Sequence, residues 1–258
     1  MTPTQSSVPA LEIDRLTGGY SQRRPVLHEI SFKVMPGEMT GLIGLNGAGK
    51  STAIKHILGL MLPHSGEVKV AGVRLSEDRA KFRASCSYVP EQPTLFPNLT
   101  VAEHLRWTAM AYGLDEGEAD RRAAGLAETF RMEKAMGQLP DTLSKGMKQK
   151  VMLMNALLVS PPLLIIDEPF LGLDPLATRA LLEALEEARR RECAILLCSH
   201  ILPALERRAD HLVVLHQGKI IASGTPDQVK EAAGGQPTLD DAFEALVLNA
   251  ERGGRPVG

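Results

Sequence analysis

Two short stretches carry residues that could handle a phosphate. The first is GLNGAGKS, Gly44–Ser51, which satisfies the pattern G-x-x-x-x-G-K-[ST] in full. In the run Gly44, Leu45, Asn46, Gly47, Ala48, Gly49, the glycines let the backbone wrap tightly so that several N–H groups point inward at an anion. Lys50 is placed to reach the β- and γ-phosphates of a nucleotide, the Ser51 hydroxyl to ligate magnesium, and Thr52 follows them into a helix whose N-terminus adds partial positive charge. The second stretch is LLIIDEP, Leu163–Pro169. A strand that ends in acidic residues puts them at the carboxyl edge of a sheet, where ligands bind in open α/β folds. Asp167 is there to hold magnesium, with Glu168 one residue further along. Adjacent carboxylates at a strand end could also merely cap the next turn.

A third stretch, LSKGMKQK (Leu143–Lys150), opens an apolar helix. The Ser144 hydroxyl and the Gly146 N–H offer donors to a phosphate at that helix N-terminus. The plainer alternative is a capped helix start with three solvated lysines. The type of nucleotide follows from what is missing. A dinucleotide fingerprint needs G-x-G-x-x-G, but Gly47-Ala48-Gly49 is followed by Lys50-Ser51-Thr52. A guanine-reading N-K-x-D is absent, since no asparagine precedes a lysine. ATP is favoured.

The elements that must position these residues alternate. Residues 10–16 and 28–34 read as strands, and 39–43 (MTGLI) as a buried strand leading into the phosphate loop. Ile54, Ile57, Leu58 and Met61 recur at helical spacing up to Pro63. Residues 67–72 read as strand and turn. Thr100-x-x-Glu103 is a capping-box signature, and helices are expected over 101–112, 116–136 and from Ser144 to Pro161. Strand–helix alternation then resumes: 163–166, a helix over 176–191 opened by Asp174-Pro175, 194–198, a short helix, and 211–216. A helix over 237–250 and a frayed tail at 251–258 close the chain. Such alternation argues for a mostly parallel sheet covered on both faces.

The 258 residues carry a net charge of −2, from 29 basic and 31 acidic side chains, which asks for neither nucleic acid nor a strongly anionic membrane. Three cysteines without a C-x-x-C pair indicate neither a disulfide framework nor a zinc site, and suit a reducing cytosol. The opening MTPTQSSVPA lacks the features of a signal peptide. No apolar run approaches a membrane span, so any membrane connection has to come through a partner.

Taken in order, these stretches and three more resemble the nucleotide-binding subunit of ABC transporters over about residues 10–225. VPEQ (89–92) resembles the Q-loop, LSKGM (143–147) the LSGGQ signature, GLDP (172–175) the D-loop and CSHIL (198–202) the switch-histidine loop. SKGMKQK and IIDEPFLGLDP are most similar to the Ecs-type exporter ATPases. The resemblance implies an α/β fold: a P-loop NTPase with a mostly parallel sheet, an N-terminal antiparallel β subdomain and an inserted helical subdomain. The implied division is an ATP-binding core over 1–94 and 160–230, a helical signature subdomain over 95–159, and a C-terminal helix and tail over 231–258.

It also implies roles. Tyr20 stacks on adenine. Ser144 and Gly146 cover phosphates held by a second copy of the chain, and Asp174 bridges the two copies. Glu168 orients the attacking water and His200 contacts the γ-phosphate. Ser51, Asp167 and Glu91 face Mg2+, with Glu91 at the Q-loop glutamine position and Gln92 beside it. Lys145 and Met147 depart from the signature's Gly and Gln, and Met147 lacks the side-chain hydrogen bonding that a glutamine would offer the opposing ribose. The implied partner is a separate multi-span membrane subunit, which would hold the ATPase at the cytoplasmic face of the membrane, with Leu95, Phe96, Leu99 and Trp107 as docking candidates. The resemblance tilts toward export; a soluble ABC-type ATPase acting on a cytosolic assembly partner is the competing class.

Overall fold

The computed structural model describes residues 8–170 and 172–253. Its centre is a six-stranded sheet ordered β10-β9-β3-β8-β7-β6, built from β3 (Met39–Ile43), β6 (Cys86–Val89), β7 (Leu163–Asp167), β8 (Ala194–Cys198), β9 (His211–His216) and β10 (Lys219–Gly224). All neighbours are parallel except β9 and β10, which form an antiparallel hairpin. Every residue of β3 and β8 is buried, the pattern of strands covered on both faces. Their side chains alternate between two apolar cores. Met39, Ile43, Leu164, Ile166, Ile195 and Leu197 face one. Leu42, Leu163, Ile165, Ala194, Leu196 and Cys198 face the other.

The second core is closed by a four-stranded antiparallel sheet ordered β2-β1-β4-β5, from β1 (Leu11–Gly18), β2 (Leu27–Val34), β4 (Ser65–Val70) and β5 (Val73–Arg74), together with α1 (Lys50–Ile57) and α2 (Arg79–Ala84). The first core takes in α3 (Val101–Ala111), α4 (Glu116–Phe130) and α5 (Lys145–Leu158). It also takes in α6 (Pro175–Arg190), α7 (Leu202–Glu206), α8 (Pro226–Ala232) and α9 (Leu239–Glu251). The three cysteines are free and buried. Among the described residues, no helix is long and apolar enough to cross a membrane.

Two helices stop earlier than their apolar spacing suggests. α1 ends at Ile57, not near Pro63, because Gly59 turns left-handed (φ 65°) and the N–H groups of Gly59 and Leu60 donate back to His56 and Lys55. α4 ends at Phe130, not 136, where Arg131 takes φ 55°; a separate 3-10 turn, Glu133–Ala135, follows. Thr100 forms the expected capping box with Glu103. Of the frayed tail expected at 251–258, residues 254–258 lie outside the described residues.

Candidate active site

Because β3, β8, β7 and β6 are parallel neighbours, the loops leaving their carboxyl ends gather at one edge of the sheet. The loop after β3 supplies Gly44–Lys50, the loop after β8 supplies Ser199 and His200, the end of β7 supplies Asp167 and Glu168, and the loop after β6 supplies Glu91. A cavity of about 450 Å³ at this edge is lined by Gly44, Leu45, Asn46, Lys50, Ser51, Glu91, Asp167, Glu168, Ser199, His200, Leu202 and Phe243. Residues far apart in sequence thus share one space, and Glu91 is in it; Gln92 is not among the lining residues.

The loop's geometry follows from its glycines. Gly49 has φ 113°, a left-handed conformation open to few other residues, and it hands the chain directly to α1. Lys50 Nζ donates to the carbonyl oxygens of Gly44 (2.6 Å) and Leu45 (3.2 Å), so the ammonium lies folded over its own loop. Ala48 and Thr52 are buried, and with Gly47 and Gly49 they do not line the cavity.

Glu168 sits in a left-handed backbone conformation (φ 49°) that a non-glycine residue seldom adopts, and its N–H donates to Cys198 O at 2.8 Å. Its Oε2 accepts from the His200 N–H at 3.2 Å and lies 2.8 Å from His200 Nδ1. An ionised carboxylate only accepts, so Nδ1 carries the proton in this pair and Nε2 is left free. Burial pushes the Asp167 carboxyl up to about 6; Glu168 and Glu91 add to the shift and Lys50 opposes it. Three carboxylates and a serine hydroxyl around one ammonium are a donor set that fits a hard divalent cation. Among the described residues no group of three His, Cys, Asp or Glu side chains could hold a metal by itself. A cation here would draw further oxygens from phosphates and water, the usual situation for magnesium.

Four further expected site residues, from other parts of the chain, also lie outside this cavity. Tyr20 is 68% exposed and packs on α1, its hydroxyl accepting from Lys55 Nζ at 3.1 Å, with that ammonium 5.0 Å from the ring centroid. Ser144 is the N-cap of α5, its Oγ accepting from Met147 N at 3.2 Å. Gly146 lies so close to Gly172 that a Cβ there would stand 2.6 Å from the Gly172 carbonyl oxygen. Asp174 caps α6, accepting from Ala177 N at 2.8 Å, and this bond holds its carboxyl below the usual range. The starts of α5 and α6 are therefore packed together and exposed. Ser199 and Leu202 line the cavity from within the CSHIL stretch, although no role was expected of them; Phe243 belongs to no motif and comes from α9, whose sequence reads as an ordinary amphipathic helix.

A glycine loop, a lysine and a hydroxyl at a helix start, facing carboxylates across the carboxyl edge of a parallel sheet, define a P-loop nucleoside-triphosphate hydrolase. The family model described as "ABC transporter" matches residues 27–171. The ABC-type transporter ATP-binding protein EcsA of Bacillus subtilis is 48% identical, over 92% of this chain and 96% of that protein. The Nod factor export ATP-binding protein I of Rhizobium etli is 37% identical, over 82% of this chain and 67% of that protein. A solved structure described as the ATP binding subunit of an ABC transporter superposes with a TM-score of 0.89 at 49% identity, covering 92% of this chain and 99% of that one. The chain belongs to the ABC transporter ATP-binding proteins and is an ATPase.

Proposed function

We propose that this ATPase works as a dimer on a separate multi-span membrane subunit at the cytoplasmic face of the membrane, in the export direction. Hydrolysis proceeds by in-line attack of water on the γ-phosphate. The observation that carries the catalytic part is the single cavity joining Lys50, Ser51, Glu91, Asp167, Glu168 and His200.

Lys50 leaves its loop carbonyls to bind the β- and γ-phosphates, and the loop N–H groups hold the oxygens. Ser51, Asp167 and Glu91 would hold magnesium, which when bound neutralises charge on the phosphates. Glu168 orients the attacking water and takes up its proton. His200, tied through Nδ1–H to Glu168, presents Nε2 toward the γ-phosphate. Ser144 and Gly146 of one copy cover the nucleotide of the other, Asp174 lies at the seam between copies, and Tyr20 stacks on adenine. ATP closes the dimer and hydrolysis reopens it.

Docking falls to the segment following Glu91. Phe96 is 64% exposed, Trp107 62% and Met110 72%. Leu95 and Leu99 are half-buried, and Leu95 packs on the core. The exposed rings are held in place: the Phe96 N–H donates to Nε2 of buried His104 at 2.9 Å, and the Phe96 and His104 rings stack at 6.0 Å. Export is supported by the likeness to an export ATP-binding protein. The test has two arms. Glu168→Gln should bind ATP, fail to hydrolyse it and run as a dimer in size-exclusion chromatography with ATP and magnesium; a monomer that still hydrolyses ATP refutes the shared site. Purification of the tagged chain from solubilised membranes should bring down a multi-span protein, and a soluble scaffold instead would favour the cytosolic class.

A further inference from the structure

We propose that Phe243 is a positioning residue for hydrolysis: α9 holds the loop that carries His200, so that the imidazole stays on Glu168. This rests on the role of His200 in the proposed function.

The His200 loop has little to hold it. The His200 side chain is 61% exposed and meets Glu168 Oε2 only through Nδ1, while the His200 backbone N–H donates to the same oxygen. Within the loop, Ile201 N donates to Ser199 Oγ at 3.1 Å. Upstream it is fixed by β8, which is buried throughout. Downstream it runs into α7, only five residues long and without a side-chain cap. A helix of that length does not stabilise itself in water, so its place is set by what packs on it.

The C-terminal helices hold α7 from both ends. At its far end, the Glu206 carboxylate accepts from Leu239 N, the first residue of α9, at 3.1 Å and from Lys230 Nζ of α8 at 3.0 Å. At its near end, Leu202 lines the catalytic cavity together with Phe243. Leu202 and Leu205 share one buried apolar cluster with Leu239, Ala242, Leu246 and Val247 of α9, and Phe243 packs against that cluster. Phe243 is thus the α9 side chain that reaches the catalytic cavity. Its ring has no hydrogen-bonding group to offer a phosphate, so its influence on the chemistry runs through the placement of the α7 start and of His200 two residues before it. Removing the ring leaves a gap beside Leu202 into which the loop can relax, separating His200 from Glu168 without touching the phosphate loop.

The test is steady-state hydrolysis of ATP with magnesium by the full-length chain. Phe243→Ala should lower kcat on the order of tenfold, as expected for a small misplacement of a catalytic group, with KM for ATP unchanged. Phe243→Leu, which keeps an apolar contact, should lose about threefold by the same reasoning. His200→Ala combined with Phe243→Ala should be no slower than His200→Ala alone, because the effect of Phe243 passes through the histidine. A wild-type kcat in Phe243→Ala, a raised KM at unchanged kcat, or a double variant slower than His200→Ala overturns the proposal. Should Phe243→Ala lose its cooperative thermal transition, Phe243→Leu carries the test, and an unreduced kcat there overturns it equally. A His200→Ala variant with full activity instead overturns the site reading on which the inference stands.

Discussion

Gly146→Ala is a one-carbon change whose effect can be worked from the structure. Gly146 lies in the first turn of α5, where alanine would ordinarily favour the helix by up to about 1 kcal/mol. Here the added Cβ would stand 2.6 Å from the carbonyl oxygen of Gly172, against about 3.4 Å for ordinary contact. The obstacle is backbone, which cannot swing aside as a long side chain can. The start of α5 or the loop before α6 must recede by about 0.8 Å, a shift of the size that costs up to 10²-fold when it misaligns a reacting site. Both segments are expected to meet the nucleotide of the second copy, so hydrolysis should fall by about tenfold to 10²-fold.

Binding of ATP to the phosphate loop, measured by titration with a fluorescent analogue, should be unchanged, because Lys50 and Ser51 lie in a different part of the chain. In a Glu168→Gln background the ATP-dependent dimer should weaken. Gly125→Ala is the control: it sits in the interior of α4, exposed, and its Cβ would meet nothing within 4 Å. That variant should gain roughly 0.5–1 kcal/mol in stability and keep full activity. Wild-type hydrolysis and dimerisation in Gly146→Ala would refute the reasoning, as would an equal loss in Gly125→Ala.

Lys50→Ala should abolish productive ATP binding, read by the same titration, since the cavity has no other lysine. Glu91→Gln should keep ATPase activity because an oxygen ligand survives, while Glu91→Ala should raise the magnesium concentration needed for half-maximal activity; a response to Gln92→Ala alone would put the Q-loop role one residue further on. Asp167 has a folded-state value raised from 3.8 to about 6, so the folded protein binds this proton more tightly than the unfolded chain. Its contribution to stability is fully present below about 3.8 and is lost as pH rises through about 6; thermal unfolding without nucleotide should show that slope, and Asp167→Asn should remove it.

What could be read from the sequence was whatever lay in consecutive residues. The phosphate loop is eight residues in a row, and its context of buried strand and helix start is equally local. The bounds of β3, β8 and β9 match the apolar runs 39–43, 194–198 and 211–216 because both faces of these strands are covered, leaving no polar alternation to blur their ends. β10 was not anticipated, although Gln217 and Gly218, both at positive φ, make the two-residue turn that joins it to β9; Gln-Gly is a weaker turn signal than Asn-Gly. β6 escaped because its four residues hold a polar serine and follow a helix of only six. Phe243 could not have been found from spacing, since what sets it apart is which cavity α9 happens to wall.

Charge at the helix starts separates two kinds of helix. α3, α4, α8 and α9 carry acidic residues in the first turn, as the helix dipole favours. α2 and α6 lack a first-turn acid but are capped by Asp78 and Asp174. α1, α5 and the five-residue α7 have neither a first-turn acid nor an acidic cap, and of these α1 and α5 begin with a lysine, Lys50 and Lys145. In an isolated subunit that arrangement forgoes about 0.3–1 kcal/mol per favourable charge. It becomes favourable once an anion sits at the helix start, since the backbone N–H groups, the dipole and the lysine then act on the same negative charge. For α1 that anion is the phosphate chain of ATP in its own loop. For α5 the anion would be the nucleotide of the second copy, as in the proposed function. The departures at Lys145 and Met147 fit that reading: a glutamine's hydrogen bonding is lost, and a positive charge stands two residues away, one that favours phosphate over ribose.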